Sequence, residues 1–259
     1  MKEEKKKSKR PVIVVTNDDG IMAPGIRHLI KLMRTLGDVI VVAPDRPQSG
    51  MGHAITIATP LRLDKVIIDG KEIEYSCSGT PVDCVKLAVS KILFGKPDLL
   101  VSGINHGSNA SINVIYSGTM SAAVEGAIEN IPSIGFSLLD YRFDADFTPA
   151  DPYILSIAKK VLRKGVPDKT CLNVNIPLAK KLKGVKVCRQ ADAYWADDYD
   201  VRKDPHHKNY YWLTGEFING DKGKDTDEWA LKNGYISVVP VQYDFTAHHA
   251  IAKIKDLEK

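Results

Sequence analysis

Cysteine is sparse in this chain. Of 259 residues only Cys77, Cys84, Cys171 and Cys188 carry thiols, no two of them form a CxxC pair, and none has zinc-like spacing to a histidine. A zinc-stabilised or disulfide-stapled scaffold is therefore excluded, and the four read as reduced packing residues. Long apolar runs are missing as well: nothing approaches the roughly 18 residues of a membrane span, and Met1-Lys2-Glu3-Glu4 leads into no signal-peptide core. The expectation is a cytoplasmic protein with no membrane partner. No GxGxxG follows the first strand-like run, which removes the dinucleotide oxidoreductases, and no internal repeat is present. Excess charge is absent from the body of the chain. Met1 to Arg10 holds six Lys/Arg and two Glu, which is the whole formal net charge of +4, so the other 249 residues are formally neutral. Such a tail reads as a solvated, disordered extension over residues 1–10, and no obligate nucleic-acid partner is expected.

What remains is enough for one large core, a single domain over 11–259. Val12-Ile13-Val14-Val15 is a run of apolar, β-branched residues of the kind buried on both faces of a parallel sheet, and it turns polar at Thr16-Asn17-Asp18-Asp19-Gly20. Adjacent side chains on a strand point to opposite faces, so two neighbouring aspartates share a task only where the chain has left the sheet. Paired carboxylates repel unless they share a proton or hold a cation. Asp18 and Asp19 are thus either a hard-cation site or a solvated Asx turn before the following helix, and this stretch alone leaves both open.

The same grammar recurs. Ile26 to Leu36 has helical spacing and stops at Gly37; Asp38 to Ala43 is a second buried strand; Pro44 to His53 is a polar loop with a hydroxyl at Ser49 and flexible backbone at Gly50. Ile55-Thr56-Ile57 and Leu61-Arg62-Leu63 alternate, and Asp69-Gly70 between strand-like runs signals a hairpin. Thr80-Pro81-Val82-Asp83 opens a helix with a capping box. Pro97 to Gly103 is a further strand, followed by the loop Ile104 to Ser111, in which Asn105 offers an amide oxygen, His106 a general acid or a cation, and Asn109 a hydrogen bond. Ser117-Gly118-Thr119 then opens a small-residue helix, a ready anion site or a well-capped helix start. Strands are expected at Ile131 to Ser137 and Cys171 to Val174, with a helix from Tyr153 to Leu162 between them. From about residue 190 the pattern becomes aromatic, with Tyr194, Trp195, Tyr199, Tyr210, Tyr211 and Trp212 but little aliphatic stock. Residues 190–259 read as a β-rich arm suited to subunit contacts, with strands at Tyr210 to Phe217 and Tyr235 to Val239 and a short terminal helix.

Together these segments resemble the SurE family of survival proteins, metal-dependent 5′/3′-nucleotidases. The resemblance rests on TNDDG (Thr16 to Gly20), APDRPQSGMGHAIT (Ala43 to Thr56), GTPVDCVKLA (Gly79 to Ala88), PDLLVSGINHGSN (Pro97 to Asn109), YSGTMSAAVEG (Tyr116 to Gly126) and GYISVVP (Gly234 to Pro240). It implies a Rossmann-like, mostly parallel α/β sheet with flanking helices and a C-terminal arm that assembles a homodimer or homotetramer. It implies one divalent cation, Mg²⁺ or Mn²⁺, on Asp18, Asp19, Ser49 and Asn105. It places a nucleoside monophosphate on Asn109, Ser117, Gly118 and Thr119, with Asn17, Gly50 and His106 also at the substrate. Two positions depart from the family pattern, Ser111 where glycine is common and Asn113 where aspartate is common.

On that resemblance the expected chemistry is hydrolysis of a phosphomonoester by in-line attack of water, with either Asp19 or a metal-bound hydroxide as the base. A phosphoaspartyl phosphatase is disfavoured because its two aspartates lie two residues apart, whereas these are adjacent. A nucleotide-binding regulator without turnover is the rival outside enzymes.

Overall fold

The computed structural model describes residues 10–258 except Lys71 and Phe94. The expected basic tail, apart from Arg10, lies outside the described residues.

Strand β1 (Val12–Thr16) is buried from Ile13 onward. Helix α1 (Pro24–Arg34) starts with proline at its first position and buries Ile26, Leu29, Ile30 and Met33. It stops three residues before Gly37, where the Thr35 hydroxyl donates to the Leu32 carbonyl at 2.7 Å. Strand β2 (Asp38–Pro44) returns parallel to β1. Strands β3 (Leu63–Val66) and β4 (Glu74–Cys77) form the expected antiparallel hairpin. Its connection is longer than a two-residue Asp-Gly turn, because Asp69 reaches away to accept from the Arg27 guanidinium at 2.8 Å while Arg27 also pairs with buried Glu74. Ile55 to Ile57, which alternate like a strand, belong to none. Ile57 is exposed there, so no apolar face was available to fix a register.

Helix α2 (Pro81–Leu87) carries the capping box read from sequence, with Thr80 accepting from the Asp83 N–H and Asp83 accepting in return, and a π-helical turn extends it to Ile92. Strand β5 (Leu99–His106) runs three residues past Gly103, with an irregular register between Ser102 and Asn105. Asn105 and His106 therefore stand on the end of a strand rather than in the loop expected for them. Helix α3 (Gly118–Ile128), strand β6 (Ser133–Leu138), helix α4 (Asp151–Lys164) and strand β7 (Thr170–Ile176) follow.

The segment beyond residue 190 divides. After short β8 (Val185–Val187), strands β9 (Ala193–Lys203) and β10 (Asn209–Asn219) pair only with each other. Helix α5 (Asp227–Lys232) then brings the chain back, and β11 (Ile236–Gln242) joins the main sheet, antiparallel to β7. The Tyr235 to Val239 strand is thus part of the core sheet, and the projecting element is the β9–β10 hairpin alone. Its isolation follows from composition: Val238 and Val239 can bury in the sheet, whereas the aromatic hairpin strands have no aliphatic layer to lie on. A 3₁₀ run, His248–Glu258, closes the described chain on the surface.

The nine-stranded sheet has the order β3-β4-β2-β1-β5-β6-β7-β11-β8. Alternation along each strand splits its core into two layers. Ile13, Val15, Val101 and Phe136 face α1 and α4, while Val14, Val42 and Leu100 face α2 and α3. All four cysteines are buried and free. No helix among the described residues is long and apolar enough to cross a membrane.

Candidate active site

Strand order reverses between β1 and β5. The chain winds outward from β1 to β2 on one side and then returns to place β5 on the other, so the crossovers above these two strands diverge and leave a crevice at their carboxyl ends. Asp18 and Asp19 leave the end of β1, and Asn105 and His106 end β5. Ser49 and Gly50 come from the loop after β2, and Ser117 from the start of α3. These seven residues line one cavity of about 220 Å³ together with Asn109. A larger cavity, about 300 Å³ and lined chiefly by Val114, Val124, Ile128 and Val241, carries no carboxylate.

Asp18 is 4 % exposed. Its carboxylate accepts from the Thr119 hydroxyl and lies against the first turn of α3, where a Cβ on Gly118 would come within 2.7 Å of the Asp18 Cβ. Burial, and then the neighbouring charge of Asp19, pushes the Asp18 carboxyl up to about 6, against the hydrogen bonds from Thr119. Asp19 is raised by burial too, offset in part by His106. Its Oδ2 is buried without a hydrogen-bond partner among the described residues. Two adjacent carboxylates held against their own desolvation, one with an orphaned oxygen, make an arrangement that a cation would relieve.

Neutral oxygens complete the donor set. The Asn105 amide donates from Nδ2 to the Gly107 carbonyl at 3.0 Å, which fixes the amide plane and leaves Oδ1 without a donor. Ser49 is exposed at the cavity mouth. The cavity lining holds no cysteine and a single histidine, His106, so its donors are mostly oxygen. Two carboxylates, an amide and a hydroxyl are hard oxygen donors, and they fit Mg²⁺ or Mn²⁺.

His106 is oriented by its surroundings. Its Nδ1 lies 3.0 Å from the Arg142 carbonyl, which can only accept, so Nδ1 carries a proton and donates. Phe147 meets the ring edge-on at 5.2 Å. The remaining nitrogen, Nε2, is buried without a partner. It is a lone-pair acceptor on the neutral ring and an N–H donor on the charged one.

Asn109 is held by three hydrogen bonds: its N–H donates to Asn175 Oδ1 at 2.8 Å, its Nδ2 to Ser137 Oγ at 2.9 Å, and its carbonyl accepts from Asn173 Nδ2 at 2.8 Å. Its backbone N–H and one of its two Nδ2 protons are thereby committed to the β6 and β7 ends. Ser117 Oγ accepts from the Met120 N–H at 3.0 Å as the cap of α3. Thr119 is fully buried and serves Asp18. Asn17 turns inward, donating to the Gly20 carbonyl at 2.9 Å. Of the residues expected at the substrate, then, Asn17, Gly118 and Thr119 stand behind the cavity wall and the others line it.

Sequence reading missed Tyr141, and it noted Tyr116 only as part of a motif and Asn113 only as a departure; all three line the same cavity. Tyr141 follows the end of β6, a fourth strand on the same rim, and the rule that ligands collect at carboxyl ends was the available signal. Gly107, at φ +112, leaves room for that ring: a Cβ there would come within 2.3 Å of it.

Residues 13–197 match the family described as survival protein SurE. The chain belongs to the SurE family. A relative from Flavobacterium psychrophilum named 5′-nucleotidase SurE is 66 % identical, covering 96 % of this chain and 99 % of its own. One of the same name from Bacteroides fragilis is 49 % identical, covering 97 % and 99 %. The crystal structure of a SurE protein from Aquifex aeolicus superposes with a TM-score of 0.84 at 42 % identity, over 96 % of this chain and all of that one. The Rossmann-like sheet with its antiparallel hairpin is thus the SurE architecture.

Proposed function

We propose that this chain is a 5′-nucleotidase that uses one divalent cation, Mg²⁺ or Mn²⁺, to hydrolyse nucleoside 5′-monophosphates to nucleoside and phosphate. Activity on 3′-monophosphates belongs to the same reading. The observation that carries it is the adjacent pair of buried Asp18 and half-buried Asp19, at the switch point between β1 and β5 of a sheet whose SurE relatives are named as 5′-nucleotidases.

Asp18, Asp19, Ser49 and Asn105 would hold the cation, which when bound neutralises charge developing on the phosphoryl oxygens. Within the protein, Thr119 and the start of α3 fix Asp18 so that its carboxylate need not reorganise. Asp19 Oδ2, without a protein donor, can accept a proton from the attacking water. As phosphorus is attacked the P–O5′ bond breaks, and His106, protonated at Nε2, can deliver a proton to the leaving oxygen while Nδ1–H stays on Arg142. The Asn109, Asn173 and Asn175 network holds the loop that carries these groups. Buried free cysteines support a reducing compartment, which we take to be the cytoplasm, and the hairpin supports assembly into a dimer or tetramer.

Phosphate release from nucleoside 5′- and 3′-monophosphates and from small phosphoesters, on chelated protein with and without added Mg²⁺ or Mn²⁺, is the test. Metal-dependent release from 5′-monophosphates is expected. Nucleotide binding with no release under any metal returns the site to the regulator reading.

A further inference from the structure

The cavity at the aspartate pair does not end at Tyr116. On the other side of that ring a second cavity, about 430 Å³, opens between Tyr116 and the hairpin, lined by Trp195, Asp197, Leu213, Thr214 and Gly215. Tyr116 lines both. A second tie joins them: Trp195 Nε1 donates to Asn113 Oδ1 at 2.8 Å, and Asn113 lines the first cavity. A molecule whose phosphate sits at Asp18 and Asp19 and whose far end passes Tyr116 arrives in this second space. Its volume falls in the range of about 300–1,000 Å³ usual for small-ligand sites.

The lining has the chemistry of base recognition. Tyr116 and Trp195 are partly open, 57 % and 42 % exposed, and among the described residues Trp195 has one tilted aromatic neighbour, Phe217 at 5.4 Å. Open aromatic faces beside a phosphate site are stacking platforms, and stacking is tolerant of which base is stacked. Selectivity needs an edge contact. Asp197 forms no ion pair or side-chain hydrogen bond among the described residues. A carboxylate accepts only, and it accepts two parallel donors best. Among the common bases guanine presents two adjacent donors on one edge, the ring N1–H and the exocyclic amine.

We infer that the cavity between Tyr116 and the β9–β10 hairpin is the nucleobase site, with Trp195 as its stacking face and Asp197 as the residue that favours guanine. The inference rests on the nucleotidase reading and names its substrate. Trp195 and Asp197 are specificity residues, remote from the reacting phosphorus. The hairpin thereby acquires a role at the site although no residue of it touches the aspartate pair.

The test compares kcat/KM for GMP, IMP, AMP and UMP with that for ribose 5-phosphate, which has the phosphate and sugar but no base. Trp195→Ala should lower kcat/KM for every nucleotide about tenfold, mainly through KM, and leave ribose 5-phosphate unchanged. Trp195→Phe, which keeps an aromatic face and loses the Asn113 hydrogen bond, should restore most of it. Asp197→Asn should cut the preference of GMP over IMP about tenfold with ribose 5-phosphate again unchanged. Equal losses on nucleotides and on ribose 5-phosphate overturn the inference, since Trp195 would then act only by holding Asn113. A GMP-to-IMP ratio unmoved by Asp197→Asn overturns it too. So does a change of assembled mass in Trp195→Ala, which would show the cavity covered by a second copy. Parent protein that releases phosphate from nothing fails the nucleotidase reading instead.

Discussion

Strands β1 and β5 hold Ile13, Val14, Val15, Leu100 and Val101 at zero exposure, whereas the aromatic, charge-studded hairpin strands leave Tyr211 and Trp212 at 60 % and Leu213 at 64 %. The first region is finished by the chain that makes it. The second is not: its eleven cross-strand pairs leave an open edge on both strands and bury almost no side chain, and an isolated two-stranded hairpin is marginal in water. Rigid burial around β1 and β5 lets the ends of those strands carry destabilising chemistry, an aspartate pair in a dry crevice. The hairpin carries no such pair and instead exposes Tyr194, Trp195, Tyr199, Tyr210, Tyr211 and Trp212. On the proposed reading chemistry belongs to one region and recognition to the other, so substitutions in each should have different readouts.

The largest effect is expected at the rigid end. Asp18→Asn and Asp19→Asn preserve size and remove a negative charge from a site already strained by two. Loss of even an indirect partner of a metal commonly costs on the order of 10–100-fold, so each variant should lose at least about 100-fold in phosphate release at limiting metal. The unfolding midpoint without metal should hold or rise, because a buried charge pair has been relieved. Near-normal turnover in both, alongside an unchanged midpoint, would leave only the Asx-turn reading of Thr16 to Gly20.

Next in size is a loss of assembly. Replacing 194–217 by a short turn removes the exposed aromatics while sparing β11, which pairs with β7 without them. The expected product is a folded monomer by light scattering, with ribose 5-phosphate hydrolysis retained and nucleotide preference lost. If the parent chain is itself a monomer at micromolar concentration, the contrast drawn between the two regions collapses.

How much of this was legible beforehand differs between the regions for the same reason. Val12 to Val15, Asp38 to Ala43 and the capped start at Thr80 were read correctly because burial on both faces and capping are local signals. The crevice residues were legible as polar breaks after such strands. That Asn105 and His106 extend β5 was not, since their pairing with Ser137 and Leu138 is decided by a distant strand. Nor was the split of 190–259: Tyr235 to Val239 looks like the hairpin strands, and only the open edge of β7 claims it for the sheet. Tyr141 was signalled only by its place just after β6, on the rim where ligands collect. The roles of the Ser117 to Thr119 hydroxyls were ambiguous for want of a partner list, and the partners are Met120 and Asp18.

That last point gives a smaller, sharper test inside the rigid region. Thr119→Val keeps shape and removes the donor to Asp18. Leaving a buried carboxylate short of a hydrogen bond costs about 1–3 kcal/mol, so the midpoint without metal should fall by several degrees and Mg²⁺ affinity should change with it. If instead KM for phosphoesters rises while metal affinity and stability hold, Thr119 serves the phosphate directly.

The smallest effect lies at the seam between the two regions. Asp227 in α5 is almost fully buried and accepts from the N–H groups of Ser111 at 2.8 Å and Ala191 at 2.9 Å, so it ties the loop leaving the crevice to the start of the hairpin. Its neighbour Glu228 also receives that charge. Burial first, and Asp227 second, push the Glu228 carboxyl up to about 6 from an ordinary 4.5. A carboxyl that holds its proton better folded than unfolded adds stability in the protonated form. The contribution is complete below about 4.5, is lost as the pH rises through 6, and is absent at pH 7.5. Glu228→Gln removes the titration, so relative to the parent it should be more stable at pH 7.5 and equal to it near pH 4.5. Glu228 is only partly buried, and solvent screening keeps the difference under about 1 kcal/mol, a shift of at most about 2–4 °C in Tm for a chain of this size. Melting both proteins, without metal, in steps from pH 4.5 to 7.5 measures it. Parallel Tm profiles across that range would mean that the seam does not sense Glu228, and that Asp227 alone joins the crevice to the hairpin.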